Sequence, residues 1–295
     1  MTTIDLGPAA PPPSEPWAGT PRRVGLTLAE LSHACSLLDA PLPFEAVTAR
    51  TGGGLDARLG QTRSSAEDDA FAAAVAGFGD PADSLARRHL VDASGALDAG
   101  LAGALGLLAK PDVALDLDIA IDNLRGHSWH RQDGDAVASL ATVDGLVFEL
   151  SWLPLAGWPA ELGRVAALPD DCTLRRSQVP DHVEVPFELA DAAFEALRSG
   201  RGDLVPVLTS GDATLTSVLT AITTEAHGRL RAVVASLTDY ESSPIGVVSW
   251  TLVADGWRSL RTTTVDDELT LVVTRVDPVD LAAELAPVLA EVTAR

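Results

Sequence analysis

Cysteine, lysine and long apolar runs are all scarce in this sequence. Its two cysteines, Cys35 and Cys172, lie far apart and form no CxxC pair, which argues against a disulfide framework or a structural zinc site. Cys35 falls on the apolar face of a predicted helix, so we expect it to be buried. No apolar run approaches the roughly 18 residues that a membrane-spanning helix needs. With 46% hydrophobic residues, the chain is predicted to be globular.

Basic residues are too few to balance the acidic ones. The formal net charge is −21 and the sequence pI is about 4.4, so the chain repels polyphosphates and anionic lipid. We therefore expect no nucleic-acid partner and no membrane partner. Residues 1–20 are rich in proline and have neither the basic region nor the apolar region of a secretory signal. They are expected to form a disordered tail, and the protein is expected to be cytoplasmic.

Several motifs of enzymes and cofactor-binding proteins are missing. A Walker A loop needs Gly-Lys-Ser/Thr, and the single lysine, Lys110, precedes a proline. Residues 52–54 are glycines, but Ala57 occupies the last glycine position of a dinucleotide-binding fingerprint, and no strand leads into it. No G-x-S-x-G nucleophile elbow is present. We predict no catalytic residues, no metal site and no cofactor.

The most regular stretch covers residues 84–123, in which an amphipathic helix that ends at Pro111 precedes a long strand. Leucines repeat in the helix at three- and four-residue spacing, at Leu97, Leu101, Leu105 and Leu108. In the strand, apolar side chains alternate with Asp112, Asp116, Asp118 and Asp122. We expect a solvated acidic face that is countered by Arg125 or Arg131. A cation site is the weaker interpretation, because alternate residues of a strand lie about 6.5–7 Å apart.

Two histidines follow that strand in a polar stretch, residues 126–134, which is predicted to be a turn. His127 and His130 have metal-pair spacing but lack a third ligand at a recognisable distance in the sequence. A surface loop is the better interpretation of this segment.

The order of predicted elements repeats in the two halves of the chain. A helix that begins at Asp98 matches one at Asp212, and a hairpin turn at Asp144-Gly145 matches one at Asp255-Gly256. The fold class is therefore predicted to be α+β, a pseudo-twofold duplicated unit with a central antiparallel sheet flanked by helices. We expect an N-terminal half at 21–168, a polar linker at 169–181 and a C-terminal half at 182–295, with both halves in one domain.

The second hairpin is apolar on both of its faces. A two-residue turn places Ala254 opposite Trp257, as the first turn places Val143 opposite Leu146. Such a hairpin is either packed between two layers or half exposed to a partner. Core packing is the more common position for any one tryptophan. For the sheet as a whole, we predict a partner-binding surface that includes Trp250, Leu252, Val253, Trp257 and Leu260.

One further pattern concerns the order of short motifs along the chain. Residues 84–120 carry Leu85, Leu90-Val91-Asp92, Gly95 and Leu108-Ala109-x-Pro111 before the alternating strand. In this order they resemble the N-terminal half of the EspG family, chaperones of ESX (type VII) secretion in actinobacteria. The resemblance extends over about residues 23–294, through Leu26-Thr27-Leu28-x-x-Leu31 at the start and Val276-Asp277-Pro278 at the end. The chain is identified as a divergent member, since YESSPIGVVSWTLVADGWRS replaces a D-T-x-x-G-R-Y type signature.

The resemblance implies a non-enzymatic protein of two related α+β halves around a central antiparallel sheet. It implies a helical secretion substrate as the partner, a PE–PPE-like or WXG-type heterodimer whose apolar tip is bound and kept soluble. Two alternatives stay open on the residues. One is an enzyme whose site combines His127, His130 and the aspartates of residues 112–122. The other is a toxin-neutralising scaffold with the same fold.

Overall fold

A computed structural model of the chain describes residues 21–44, 66–238 and 241–293. The strands are β1 (Arg22–Thr27), β2 (Val113–Ile121), β3 (Leu124–Asp133), β4 (Ala136–Thr142), β5 (Val147–Pro154), β6 (His182–Pro186), β7 (Gly228–Thr238), β8 (Glu241–Val253), β9 (Gly256–Val265) and β10 (Glu268–Val276). The helices are α1 (Leu28–Leu37), α2 (Ala66–Ala76), α3 (Pro81–Arg87), α4 (Ala99–Ala109), α5 (Trp158–Val165), α6 (Phe187–Arg198), α7 (Val205–Leu208), α8 (Ala213–Thr224) and α9 (Leu281–Thr293). In these ranges, no helix has the length and apolar character needed to cross a bilayer. The predicted tail, residues 1–20, lies outside the described residues.

All of these strands belong to one antiparallel sheet. Their order is β1-β5-β4-β3-β2-β7-β8-β9-β10-β6, so each half contributes five strands in mirrored order and β2 pairs with β7 at the centre. The central ladder places Leu117 directly opposite Ala232. The predicted fold class is confirmed: an α+β, pseudo-twofold duplicated unit around a central antiparallel sheet.

Helices cover the two faces of the sheet differently. The front face carries Asp116 and Val233, and the back face carries Leu117 and Ala232. On the front, α1, α3 and α4 pack on the N-terminal half, and α6, α7 and α8 pack on the C-terminal half, each group around its own core. On the back, α5 and α9 share one core with strands of both halves.

Helices α4 and α8, whose first residues match in the sequence, begin in the same way. Asp98 Oδ1 accepts a hydrogen bond from the amide of Leu101 at 3.0 Å, and Asp212 Oδ1 accepts one from the amide of Leu215 at 2.9 Å. Both bonds join the residue before the helix to its third residue. They satisfy amides that the first turn of a helix leaves without a backbone partner. Local sequence thus fixes where α4 and α8 begin.

The prediction of a turn at residues 126–134 is wrong, because strand β3 runs through this segment. His127 and Trp129 lie on its front face, and Ser128 and His130 lie on its back face. Polar residues on both faces leave no period-two hydrophobic signal. The backbone is held by ladders to β2 and β4, which the sequence pattern of this segment does not reveal.

The predicted register of the first Asp-Gly hairpin is wrong. β4 ends at Thr142 and β5 begins at Val147, so Val143 and Leu146 lie in the loop instead of opposite each other. The cause is the Asp144 side chain, whose Oδ1 accepts hydrogen bonds from the amides of Leu146 and Val147 at 2.8 and 3.0 Å. These bonds stabilise a longer loop than a two-residue turn.

The second Asp-Gly turn also differs from its prediction and is not equivalent to the first. It joins β8 to β9, whereas the first joins β4 to β5, so its counterpart in the N-terminal half is the β3–β4 turn. Trp257 lies opposite Leu252 instead of Ala254. Because the shift is two residues, every side chain stays on its predicted face.

A buried polar group lies beneath α5, and the sequence pattern gave no sign of it. Trp158 Nε1 donates to His130 Nδ1 at 3.1 Å, and His130 Nε2 lies 2.8 Å from Ser128 Oγ. Burial lowers the pKa of His130 to about 3, and nearby guanidinium groups add to this while Glu161 opposes it. The imidazole is therefore neutral and, with Nδ1 as acceptor, donates its Nε2 proton to Ser128.

Candidate functional site

The five residues predicted to bind a partner lie on both faces of the β8–β9 hairpin. Trp250, Leu252 and Trp257 are buried in the back core that α9 covers. Val253 is buried in the front core of the C-terminal half, and Leu260 packs against that core while partly exposed. Near its turn the hairpin is thus packed between two layers, one of the two arrangements that its apolar faces allow. The partner-binding role of these residues stays a prediction.

The centre of the front face is not covered by the described helices. α4 packs over β3, β4 and β5, and α6 packs over β10 and β6 at the far edge. Between them the middle of β2 and β7 is open, where Asp116, Asp118 and Arg231 are exposed. We name this area the central face. It consists of two rows of opposed residues, His127, Asp118, Arg231 and Ser249 in the first and Trp129, Asp116, Val233 and Val247 in the second.

Charges on the central face pair across neighbouring strands. His127 Nδ1 lies 2.6 Å from Asp118 Oδ1, and Arg131 Nη1 donates to Asp116 Oδ1 at 2.6 Å. Both aspartates are half exposed, whereas the Arg131 side chain is buried beside them. The prediction of a solvated acidic face on β2 is confirmed, with Arg131 as its counter-charge. Exposed pairs of this kind add little stability, but they set the polarity of the surface.

Apolar side chains lie among these charges. Trp129 is half-buried, and its ring stacks on Phe44 with centroids 4.7 Å apart. Val233 is half-buried, and Val247 keeps 49% of its surface exposed. An apolar centre with charged residues around it is the composition of protein–protein interfaces. The central face therefore has the chemistry of a binding surface.

The histidines of the enzyme alternative do not converge. Both lie on strand β3, so the prediction of a surface loop is wrong: His127 is exposed on the front of β3, and His130 is buried on the back. In the part of the chain that the structure describes, no group of three or more His, Cys, Asp or Glu side chains is placed to hold a metal ion. The arrangement of the described residues favours binding over acid–base chemistry at this face.

Comparisons with known proteins bear on the fold. No protein-family model matches the sequence, and no curated protein matches it either. Among solved structures, the chain is similar to the type VII secretion system chaperone EspG5 of Mycobacterium tuberculosis, in a complex with the PE25–PPE41 dimer. The TM-score is 0.58 at 12% identity, and the alignment covers 91% of this chain and 96% of the matched chain. The fold implied by the EspG resemblance is thereby confirmed.

Proposed function

We propose that this protein is a cytoplasmic chaperone of type VII (ESX) secretion. Its substrate would be a helical pair of the PE–PPE or WXG type, whose apolar tip it binds and keeps soluble. The observation that carries the proposal is the fold, which is similar over 91% of the chain to that of EspG5 in a complex with a PE–PPE dimer. The motif order of residues 84–120 supports the same family without use of the structure.

The central face is the surface that we assign to the substrate. It is open among the described residues, and its apolar centre suits an apolar helical tip. The two aspartates are already held within the sheet by Arg131 and His127, so covering them leaves no isolated carboxylate. Leu260 lies next to the last β8–β9 pair and shares the front face with Ser249. Of the five predicted residues it is the one able to extend this surface, and the other four support the sheet from its cores.

Both halves are proposed to act as one domain. The β2–β7 ladder and the shared back core join them directly. The predicted linker, residues 169–181, is also held against the body. The Arg175 amide donates to the carbonyl of Ala254 at 2.6 Å, and Arg258 Nη2 donates to the carbonyl of Val179 at 3.1 Å. A substrate on the central face would therefore contact strands of both halves at once.

Co-expression with candidate substrates tests the proposal. PE–PPE or WXG-type pairs encoded next to this gene are expected to become more soluble and to co-purify with the protein. Val247→Asp is expected to weaken the complex at least tenfold, about 1.4 kcal/mol, because it places a charge in the apolar centre. Val279→Asp is the control, since Val279 is 75% exposed and lies in the 3₁₀ turn before α9.

The outcomes separate the function from the surface. If no such pair gains solubility or co-purifies, the chaperone proposal is wrong. If a pair binds but Val247→Asp and Val279→Asp weaken it equally, the function stands and the assignment of the central face is wrong. Isothermal titration calorimetry with the purified pair measures both affinities.

A further inference from the structure

Helices α5 and α9 are equivalent in the pseudo-twofold arrangement. Each follows the last strand of its half through a 3₁₀ turn and packs on the back face. Glu161 on α5 accepts a hydrogen bond from Ser151 at 3.4 Å, and Glu284 on α9 accepts one from Ser259 at 2.6 Å. These glutamates occupy the fourth position of their helices, so the two helices can be compared residue by residue.

The last turns of α9 pack into a shallow depression on the C-terminal half of the back face, which we name the seat. Gly246 on β8 pairs with Val234 on β7, and the glycine leaves room for a helix side chain above it. A β-carbon added to Gly246 would lie only 2.7 Å from Val288 Cγ1. Val292, one turn later, is also buried in the back core. The seat is therefore shaped by a glycine and occupied by a helix.

The equivalent seat in the N-terminal half is empty of described residues. Gly126 on β3 pairs with Ile119, just as Gly246 pairs with Val234, and both partners lie two residues beyond the central Leu117–Ala232 pair. A β-carbon added to Gly126 would meet nothing closer than 3.9 Å. The same backbone shape is thus present without the side chain that fills it in the other half.

α5 ends at Val165, the eighth helix position, which Val288 occupies in α9, yet no heavy atom lies closer than 3.9 Å to a β-carbon added to Gly126. α9 continues for a further turn to Thr293, whereas Pro169 prevents such an extension of α5. What remains is a groove of about 420 Å³ between α5 and the ends of β2–β5. Its apolar lining includes Ile119, Leu124, Gly126, Val143, Val147 and Val165. Val143 is 72% exposed and Leu124 54%, so the groove presents an apolar surface that the described chain does not cover.

The rim of the groove is acidic. Asp144 lies beside Val143, and its pKa is lowered, against the effect of burial, by hydrogen bonds from the amides of Val147 and Leu146, so it is charged near neutral pH. Arg164 on the opposite wall and Arg23 together pair with Glu149 and Glu161, so the charges of these four side chains cancel and Asp144 remains. The accessible excess charge at the rim is negative, which favours an occupant with basic residues beside its apolar side.

We propose that this groove binds an amphipathic helix of a partner protein. The helix would place apolar residues at the spacing of Val288 and Val292 onto Gly126, with lysine or arginine towards Asp144. The groove lies on the back of the sheet, opposite the central face, so the proposal stands independently of the substrate surface assigned above. It gives the protein a second place to hold a helical segment.

A peptide with the sequence of residues 281–293, both glutamates replaced by lysine, is the probe. It is labelled with fluorescein and cross-linked on its polar side, because so short a helix is marginal in water. Fluorescence anisotropy with the full chain is expected to give a Kd of about 100 µM or tighter. The same peptide with its native glutamates is expected to bind at least fivefold more weakly, because of the acidic rim.

Variants of the groove locate the binding. Gly126→Val is expected to weaken binding at least tenfold, since its methyl groups fill the floor, and valine suits a strand. Val143→Lys is a second variant with the same expected loss, because it removes an apolar contact and repels the lysines of the peptide. Val207→Asp is the control, because Val207 is 73% exposed on α7, on the front face. Circular dichroism shows whether each variant is folded.

Three results would overturn the proposal. One is equal binding by the wild type, Gly126→Val and Val143→Lys. Another is equal binding of a scrambled peptide. The third is a wild-type dimer that Gly126→Val dissociates in sedimentation velocity, which would make a second copy of the chain the occupant. A failure of Val247→Asp to affect substrate binding concerns the central face alone and leaves this groove unaffected.

Discussion

Equivalent positions in the two halves hold very different side chains. His130 on β3 and Trp250 on β8 each lie opposite a serine of the next strand, Ser139 and Ser259. Both side chains are buried on the back face. In one half the position carries a neutral imidazole bonded to Trp158, and in the other an indole within an apolar core. The same backbone position therefore accepts either a polar or an apolar side chain, provided that the side chains packed on it have matching polarity.

The buried imidazole makes stability depend on pH. Because the pKa of His130 is lowered to about 3, the unfolded chain binds a proton below about pH 6.5 that the folded chain does not. Stability is full above that pH and is lost as the pH falls towards 3. We expect a loss of about 2 kcal/mol between pH 7 and pH 5, measured by urea unfolding.

His130→Phe should flatten this dependence, since it removes the titrating group. The variant is expected to lose about 1–3 kcal/mol at pH 7, because Trp158 Nε1 loses its acceptor. The slope with pH is the decisive measurement. A variant with the wild-type slope would show that other groups cause it.

Arg258 is a second residue whose burial has a large expected effect. Its guanidinium is fully buried and donates to Asp255 at 2.9 Å and to the carbonyls of Val179 and Pro180 at 3.1 and 3.3 Å. Arg258→Met removes this donor from the two carbonyls and leaves Asp255 with Arg275 alone, and we expect a loss of about 3–5 kcal/mol in the free energy of unfolding.

A surface arginine provides the comparison for that prediction. Arg198 forms an exposed pair with Glu195 at 2.8 Å. Arg198→Met is expected to cost less than about 0.5 kcal/mol, because exposed pairs gain little over hydration. Similar losses in the two variants would contradict the role assigned to Arg258.

At the scale of elements, the N-caps of α4 and α8 make a matched pair. Asp98 accepts hydrogen bonds from two amides, and Asp212 accepts one from Leu215. Asp98→Ala and Asp212→Ala are each expected to cost about 1 kcal/mol, with the larger loss at Asp98. Asp98→Ser should keep most of the stability, since serine also caps. Urea unfolding of the three variants measures these differences, and an equal loss for Asp98→Ser would exclude capping as the cause.

Strong local patterns made some elements predictable. The alternation of β2 and the match between Asp98 and Asp212 identified the strand, the helix starts and the duplicated fold. The Thr27–Glu30 capping box sets the start of α1 through an equally local pattern. The buried position of Cys35 followed from the helix face on which it lies.

Other elements depend on neighbours that no local pattern reveals. β3 carries polar side chains on both faces, because His130 and Ser128 bond beneath α5 while His127 pairs with Asp118. The central face could not be identified for a related reason. Its exposure follows from where the front helices stop, and the burial of Trp250 follows from where α9 lies.

For the molecule as a whole, charge is the dominant feature. The net charge is −21, and the excess acidic side chains repel one another more strongly in the compact folded state than in the expanded unfolded chain. Raising NaCl from 0.05 to 0.5 M is expected to raise the thermal midpoint by a few degrees, on the order of 1–2 kcal/mol of screening. Differential scanning calorimetry measures this shift. A midpoint that falls with salt would mean that the cross-strand pairs outweigh the repulsion.

The central ladder also has a consequence for synthesis. β2 pairs with β7 along its whole length, yet more than a hundred residues separate them in the chain. At a synthesis rate of about 5–20 residues per second, roughly 5–20 s pass between the synthesis of β2 and that of β7. During this time one edge of β2 has no partner strand. Edge strands of this kind invite wrong pairing, and charged side chains discourage it. Asp116 and Asp118 are charged side chains on β2, and we expect them to discourage wrong pairing of the nascent first half until β7 is made.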